Sequence, residues 1–314
     1  MPEAYLGLDI GGTKLAVGLA ERGGKLLGMV GRATDRQATP ADFVRVLAQM
    51  AGEVCNRVGA EPAAAGISYG GPVDYGRQVT VTCHHLEGWE GIPLTRMMGE
   101  ALGLERVVMD NDGNACALGE ARFGAGQGHS ELLYLTVSSG IGGGVILGGR
   151  VYRGATSMAG EIGHTVIVPG GPECTCGRQG CLEALASGWS IARRAREALA
   201  AGAGPGSRLY ELGPEPSAQV VAEQANAGDP LAAALMAETA GYLALGVAAA
   251  VNLLNPTLVV IGGGVGKAGD CLFAPLRRAV DGYALAENAA AVSIVPAALG
   301  DAGGVLGAVA LALE

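Results

Sequence analysis

At 314 residues, 49% of them hydrophobic and 16% charged, the chain can bury a sizeable core in two domains or one bilobal unit, and it is too apolar for long disordered stretches. A net charge of −9 excludes the surplus of Lys and Arg on which a sequence-independent grip on nucleic acid depends, so an anionic nucleotide would need backbone amides, local donors and Mg²⁺. No basic stretch followed by an apolar run opens the chain, and the longest apolar stretch, 240–254, is interrupted by Asn252 and falls short of a bilayer span of about 20 residues; a soluble, cytoplasmic protein with no membrane partner is expected.

Residues 4–9 form an apolar run that ends in Gly11-Gly12-Thr13-Lys14. Further apolar runs at 15–20 and 26–30 make this a glycine-turned β-meander. Thr39 reads as an N-cap and Pro40 as a first-turn proline for a helix to about Arg57, with Phe43, Val44, Leu47, Met50 and Val54 at helical spacing. Residues 63–69 return as a strand into Gly70-Gly71-Pro72, and 93–102, 106–109 and 114–122 read as helix, strand and helix. The opening theme then recurs: a strand at 132–137 runs into Ser138-Ser139-Gly140-Ile141-Gly142-Gly143-Gly144, then 145–147, a turn at Gly148-Gly149 and Val151-Tyr152. Two glycine-hinged hairpins, one opening each half, suggest a duplicated core. Beyond the cysteine segment come helices, one of them at 191–201, a Gly/Pro/Ala-rich surface loop at 201–216 and a long buried helix from Asp229-Pro230 to Asn255-Pro256. A buried strand at 258–261 meets Gly262-Gly263-Gly264, and a strand at 292–295 and a helix at 304–313 end the chain. Strand-rich openings alternating with helices belong to the α/β class.

Four residues stand apart from this pattern. His164, Cys174, Cys176 and Cys181 supply three thiols and an imidazole, the ligand set a tetrahedral zinc takes in a closed structural site. Pro172, Gly177 and Gly180 let a short stretch curl round one ion. A Cys174–Cys176 redox pair or inert core thiols are the alternatives, and with no oxidising compartment indicated, zinc outweighs both. Cys55, Cys83, Cys116 and Cys271 are scattered singly among apolar neighbours and read as small buried hydrophobes.

The same segment, Gly160-Glu161-Ile162-Gly163-His164 followed by Cys174-Thr175-Cys176-Gly177-Arg178-Gln179-Gly180-Cys181-Leu182-Glu183, resembles the signature of the ROK family of bacterial-type sugar kinases and sugar-responsive repressors. The resemblance implies zinc on His164, Cys174, Cys176 and Cys181, with Glu161, His164 and Glu183 touching the sugar. It extends from Asp9 to the final helix and implies the actin-like or ribonuclease-H-like ATPase fold, two lobes around a central cleft. The expected division is a small α/β lobe over 1–113, completed by the helix at 302–314, and a larger α/β lobe over 114–301 that carries the zinc loop.

Glycines at the tip of the first strand let backbone N–H groups approach phosphate oxygens, Thr13 and Lys14 add a hydroxyl and a charge, and Asp9 could orient hydrated Mg²⁺. A glycine hairpin alone needs no function. Beside the ROK signature, Asp9, Gly11, Gly12, Thr13 and Lys14 resemble that family's first phosphate loop, Ser139, Gly140, Gly142 and Gly143 its second, and Gly263 and Gly264 its adenosine contact. None is a Walker loop, and Gly11-Gly12 leads into a strand rather than a helix, unlike the Rossmann pattern. Asp110-Asn111-Asp112-Gly113-Asn114 holds more polar residues than a helix N-cap requires and resembles the family's Asn-Asp-Ala-Asn motif, with Gly113 in place of Ala. That implies Asp112 as catalytic base and Asn111 as a sugar contact. Ser68-Tyr69-Gly70-Gly71-Pro72-Val73-Asp74 matches the Gly-Pro-Val-Asp region, with Gly71 either a sugar contact or a turn. His85 stands where many members carry an Asn near the sugar, and the His84-His85 pair reads as a polar surface patch.

The resemblance thus implies an ATP-dependent hexose kinase, glucokinase above all, using ATP with Mg²⁺, holding structural zinc and forming a homo-oligomer, dimer or tetramer. N-acetylglucosamine, N-acetylmannosamine, mannose, fructose and allose are the other candidate substrates. The family's repressors carry a helix-turn-helix domain ahead of the sugar domain, and the eight residues before Asp9 are too few for one. A non-catalytic sugar-binding protein would not need a base at Asp112.

Overall fold

The computed structural model describes residues 3–81 and 88–314, so the expectations at Cys83, His84 and His85 lie outside the described residues. The chain opens with β1 (Ala4–Ile10), β2 (Lys14–Glu21) and β3 (Leu26–Ala33), an antiparallel meander. Its second turn closes at Gly24, whose φ of +81° favours glycine. Helix α1 (Pro40–Val58) starts on a reciprocal capping box between Thr39 and Asp42 and ends at Gly59 in the left-handed conformation. It buries Phe43, Leu47, Met50, Ala51 and Val54. Each large side chain on that face contributes about 1.5–3 kcal/mol. Val44, expected there, is only partly buried.

β4 (Pro62–Tyr69), the short hairpin β5 (Val73–Asp74) and β6 (Val79–Thr80), α2 (Leu94–Leu102) and β7 (Val107–Asn111) follow. The first sheet has the order β3-β2-β1-β4-β7, with β1, β4 and β7 parallel. Helix α3 (Asp112–Phe123) begins two residues before the expected Asn114, because Asn111 accepts a hydrogen bond from Gly113 N and caps it.

β8 (Leu132–Val137), β9 (Ile141–Leu147) and β10 (Arg150–Val151) lead into the cysteine segment, then α4 (Leu182–Ala186), α5 (Gly188–Ala200) and α6 (Ala218–Asn226). Helix α7 (Pro230–Leu254) is capped by Asp229 and stopped at Asn255, φ +47°, before Pro256. It is long and apolar enough to cross a membrane, yet more than half of its most apolar window is buried, packed against α4, α6 and α9 (Asp270–Tyr283). β11 (Leu258–Gly262) is buried at all five residues, as a strand covered on both faces must be, and runs straight into α8 (Gly263–Gly266). α10 (Ala286–Ala291), β12 (Ser293–Pro296) and α11 (Gly303–Ala312) complete the chain. The second sheet has the order β10-β9-β8-β11-β12.

The loop at 201–216 is tied down: Ser207 Oγ and Arg208 N both donate to the Asp229 carboxylate, at 2.9 and 2.7 Å, the group that caps α7.

By internal contacts the chain divides into two compact units, Met1–Ser130 with Gly144–Gly160 and Ala298–Glu314, and Glu131–Gly143 with Glu161–Ala297. The expected boundary at 113/114 does not coincide with this division, because all of α3 falls in the first unit. Small residues explain why. A Cβ on Gly307 of α11 would stand 2.4 Å from Ala115 O of α3, so the two helices touch through bare backbone. α11 also lies directly on the sheet: a Cβ on Gly7 would stand 2.1 Å from Val305 O, and one on Gly66 1.7 Å from Ala308 O.

Candidate active site

In the first unit, β1, β4 and β7 run parallel and in register, so their carboxyl ends bring Asp9 to Gly11, Ser68 to Gly71 and Asp110 to Asp112 to one edge of the sheet. Open α/β sheets place ligands at such edges. The turn after β1 is held by its neighbours: Thr34 Oγ1 donates to Gly11 O at 2.7 Å, Arg36 Nε to Gly12 O at 3.1 Å and Thr34 N to Thr13 O at 3.1 Å. In a planar trans peptide the carbonyl and the next N–H point opposite ways, so fastening these carbonyls turns the amides of Gly12, Thr13 and Lys14 to the other side. Asp9 accepts from Ser68 Oγ at 2.8 Å and lies against Gly304, where a Cβ would stand 2.4 Å from its carboxyl carbon. Burial pushes the Asp9 carboxyl up, against the pull of Ser68 and Lys14.

Asp112 sits in the first turn of α3, its Oδ1 accepting from Gly113 N at 2.8 Å. A Cβ on Gly70 would be 3.5 Å from Gly11 Cα and 3.9 Å from Asp112 Oδ2, which places this carboxylate beside the first glycine turn. Asn111 uses its oxygen as cap and its Nδ2 to reach Gly71 O at 3.1 Å.

Asp110 has a different task. It is 1% exposed and accepts from Arg153 Nε at 2.7 Å, Asn111 N at 2.8 Å and Asn114 Nδ2 at 3.0 Å. Burial pushes its carboxyl up and Arg153 opposes the shift. The Arg153 guanidinium in turn stacks 3.5 Å over the Tyr75 ring and pairs with Glu314 at 3.2 Å. Nothing in the local sequence around Arg153 marks it; only the fold carries it to Asp110.

In the second unit, the ligand atoms of His164, Cys174, Cys176 and Cys181 lie within 4.8 Å of one another. Cys176 Sγ is 3.7 Å from Cys181 Sγ, and His164 Nδ1 3.6 Å from Cys174 Sγ. Gly177 and Gly180 take φ of +83° and +76°, and a Cβ on Gly180 would stand 1.7 Å from Val168 O, so the curl needs glycine there. Burial raises the Cys181 thiol to about 12, with its thiol neighbours adding to the effect. Burial also acts on Cys176, but the Arg178 backbone and the adjacent thiols outweigh it and bring that thiol down to about 7.

Around this cluster the second glycine turn is gripped from several sides. Gly188 N donates to Ser138 O at 2.7 Å and Trp189 N to Ser139 O at 3.4 Å. Glu183 Oε2 accepts from Ile141 N at 2.9 Å. A Cβ on Gly163 would stand 2.0 Å from Ile141 O, and one on Gly263, φ +78°, 2.4 Å from Val137 O. Ser139 is exposed, Gly142 lies within β9 and Gly143 is buried there, while Gly264 is exposed. Glu161 is exposed just ahead of the short helical turn Ile162–His164.

The family model described as "ROK family" matches residues 5–314. A glucokinase of Thermotoga maritima is 36% identical over 272 residues, 85% of this chain and 84% of that protein. An N-acetylmannosamine kinase of Escherichia coli O157:H7 is 32% identical over 266 residues, 84% of each chain. Among solved structures, a ROK family glucokinase from Streptomyces griseus in complex with glucose and AMPPNP superposes with a TM-score of 0.86 at 34% identity, covering 99% of both chains. Likeness of this extent over both sequence and structure fixes the fold as the actin-like, ribonuclease-H-like ATPase fold. The chain belongs to the ROK family.

Proposed function

We propose that this protein is an ATP-dependent hexose kinase of the glucokinase type, converting glucose and ATP to glucose 6-phosphate and ADP. The observation that carries the reading is the placement of Asp112: an acidic side chain beside the Gly11 turn, flanked by Asn111 tethered to Gly71. Asp112 takes the proton of the 6-hydroxyl as that oxygen attacks the γ-phosphorus; the bond from phosphorus to the bridging oxygen breaks and leaves ADP. Asn111, Gly71, Glu161, His164 and Glu183 read the sugar hydroxyls, and such a site rejects analogues that lack a bonded hydroxyl. The amides of the Gly11–Lys14 and Ser138–Gly140 turns, with Gly263 and Gly264, hold the nucleotide. Asp9 would hold the hydrated Mg²⁺ that accompanies ATP and neutralises developing phosphate charge.

The donor set at His164, Cys174, Cys176 and Cys181 fits zinc. Tetrahedral zinc with Zn–S of about 2.3 Å sets its thiolates about 3.8 Å apart, against 3.7 Å between Cys176 and Cys181. Four protein ligands close the coordination shell, so the ion would brace the segment rather than touch substrate. The reading extends to the cytoplasm, where thiols stay reduced, and to a homo-oligomer, dimer or tetramer.

The test is a coupled ADP-release assay over glucose, N-acetylglucosamine, N-acetylmannosamine, mannose, fructose and allose. Glucose is expected to give the highest kcat/KM. The 32% identity to an N-acetylmannosamine kinase makes that sugar the second reading, and a preference for it would replace the first. No release above the sugar-free background with any of them would sink the kinase.

A further inference from the structure

Glu183, proposed above as a sugar contact, has protein partners at both of its carboxylate oxygens. Its Oε2 accepts the Ile141 N–H at 2.9 Å, where the Ser138–Gly140 turn enters β9. Its Oε1 accepts the Thr175 hydroxyl at 3.0 Å, inside the cysteine segment, and lies 3.7 Å from Cys174 Sγ. One carboxylate therefore spans the cysteine segment and the glycine turn. The fit depends on Gly140, because a Cβ there would stand 2.4 Å from Oε2. The next peptide is confined as well: Gly163, one residue before His164, lies against Ile141 O.

The rest of the turn is fastened by its carbonyls. The first two amides of α5, at Gly188 and Trp189, are helix-end donors without an intrahelical partner, and they are spent on Ser138 O and Ser139 O. Peptide planarity then turns the Ser139 and Gly140 N–H groups away from α5. Those are the amides that a phosphate would meet. Their direction depends on both anchors, α5 behind the carbonyls and Glu183 at the exit of the turn.

We propose that Glu183 is a positioning residue for the nucleotide: it fixes the Ser138–Ile141 turn against the cysteine segment, so that the fold of that segment sets the affinity for the phosphates of ATP. The inference rests on the reading of this turn as a phosphate loop. It also assigns Glu183 an effect on nucleotide binding in the absence of any sugar, which a sugar contact would not have.

The experiment measures binding of a fluorescent ADP analogue with Mg²⁺, without sugar, to the full-length protein and its variants, alongside calorimetric glucose binding and amide hydrogen exchange. Glu183→Ala leaves a buried amide donor unpaired, so nucleotide affinity is expected to fall about tenfold, with faster exchange at Ile141. Thr175→Val, at an exposed position outside the proposed substrate contacts, removes only the far anchor and should weaken nucleotide binding about threefold. Unchanged nucleotide affinity in Glu183→Ala, with glucose binding lost, would overturn the proposal and leave Glu183 a sugar contact alone. Should Glu183→Ala fail to fold, unchanged affinity and unchanged Ile141 exchange in Thr175→Val would overturn it equally. No binding of the nucleotide by the parent protein would instead refute the kinase reading itself.

Discussion

The two glycine turns look alike in sequence and are built differently. The Gly11–Lys14 turn is held by near neighbours along its own meander, Thr34 and Arg36, which fasten its carbonyls within one antiparallel ladder. The Ser138–Gly140 turn and its exit at Ile141 borrow their restraints from remote parts of the second unit: the start of α5, Glu183 and Gly163. A turn held by its own meander forms when the meander forms. A turn held by distant segments is only as well made as those segments.

Asp112→Asn sets the baseline. The amide keeps the shape but cannot take the proton, so kcat should drop about 10²–10⁴-fold, while nucleotide affinity at both turns stays within about twofold by the same logic. Retention of most of the turnover would remove Asp112 from the chemistry.

Cys176→Ser should separate the turns most clearly. Elemental analysis is expected to find close to one zinc per parent chain and little in the variant. Hydrogen exchange should then quicken at Ile141 while exchange at Gly11, whose amide is bonded to Lys14 O, stays unchanged. Zinc-free parent protein would sink the metal, and equal loosening of both turns would break the distinction between them.

Thr34→Val is the reciprocal test. It removes the hydroxyl bonded to Gly11 O and should raise KM for ATP about threefold, without changing exchange at Ile141.

The smallest effect concerns the second unit's dependence on its packing. The Asp229 carboxyl caps α7 and anchors Ser207 and Arg208; burial would raise its pKa, but the amides of Ala232 and Arg208 and the Ser207 hydroxyl prevail and lower it. A carboxyl whose folded pKa lies below its unfolded value of about 3.9 stabilises above that pH, and loses the contribution as pH falls through the folded pKa. Asp229→Ala should therefore cost about 1 kcal/mol at pH 7, with the deficit shrinking below about pH 4. Urea unfolding followed by emission from Trp189, which is 49% exposed in that unit, would report it. A deficit independent of pH would show that packing rather than charge is lost.

Much of the framework was legible because its signals are local. Apolar runs gave β1, β2, β4, β8 and β11 to within a residue or two, and Thr39-Pro40 and Asp229-Pro230 marked the starts of α1 and α7. Of the helices expected after the cysteine segment only α5 was given bounds, and α9 and α10 were not anticipated. α6 and α10 are short, α10 buries none of its residues, and α9 carries Pro275 within it. The Cys/His segment announced its cluster, because four ligands spaced over one curled stretch have few ways to lie apart.

The sequence alone determined which residue types stand at which strand ends, and so the family and the roster of candidate contacts. Tertiary structure decided what each polar group is free to do. Asp110 and Asp112 are two residues apart and equally acidic in sequence, yet Arg153 claims the first and leaves the second in the first turn of α3 beside Gly70 and Gly11. Glu183 reads as a sugar contact in its motif, yet its carboxylate lies under a turn 42 residues away in the chain. Hydrogen-bond partners are chosen by distance in space, and distance along the chain carries no information about them until the chain has folded.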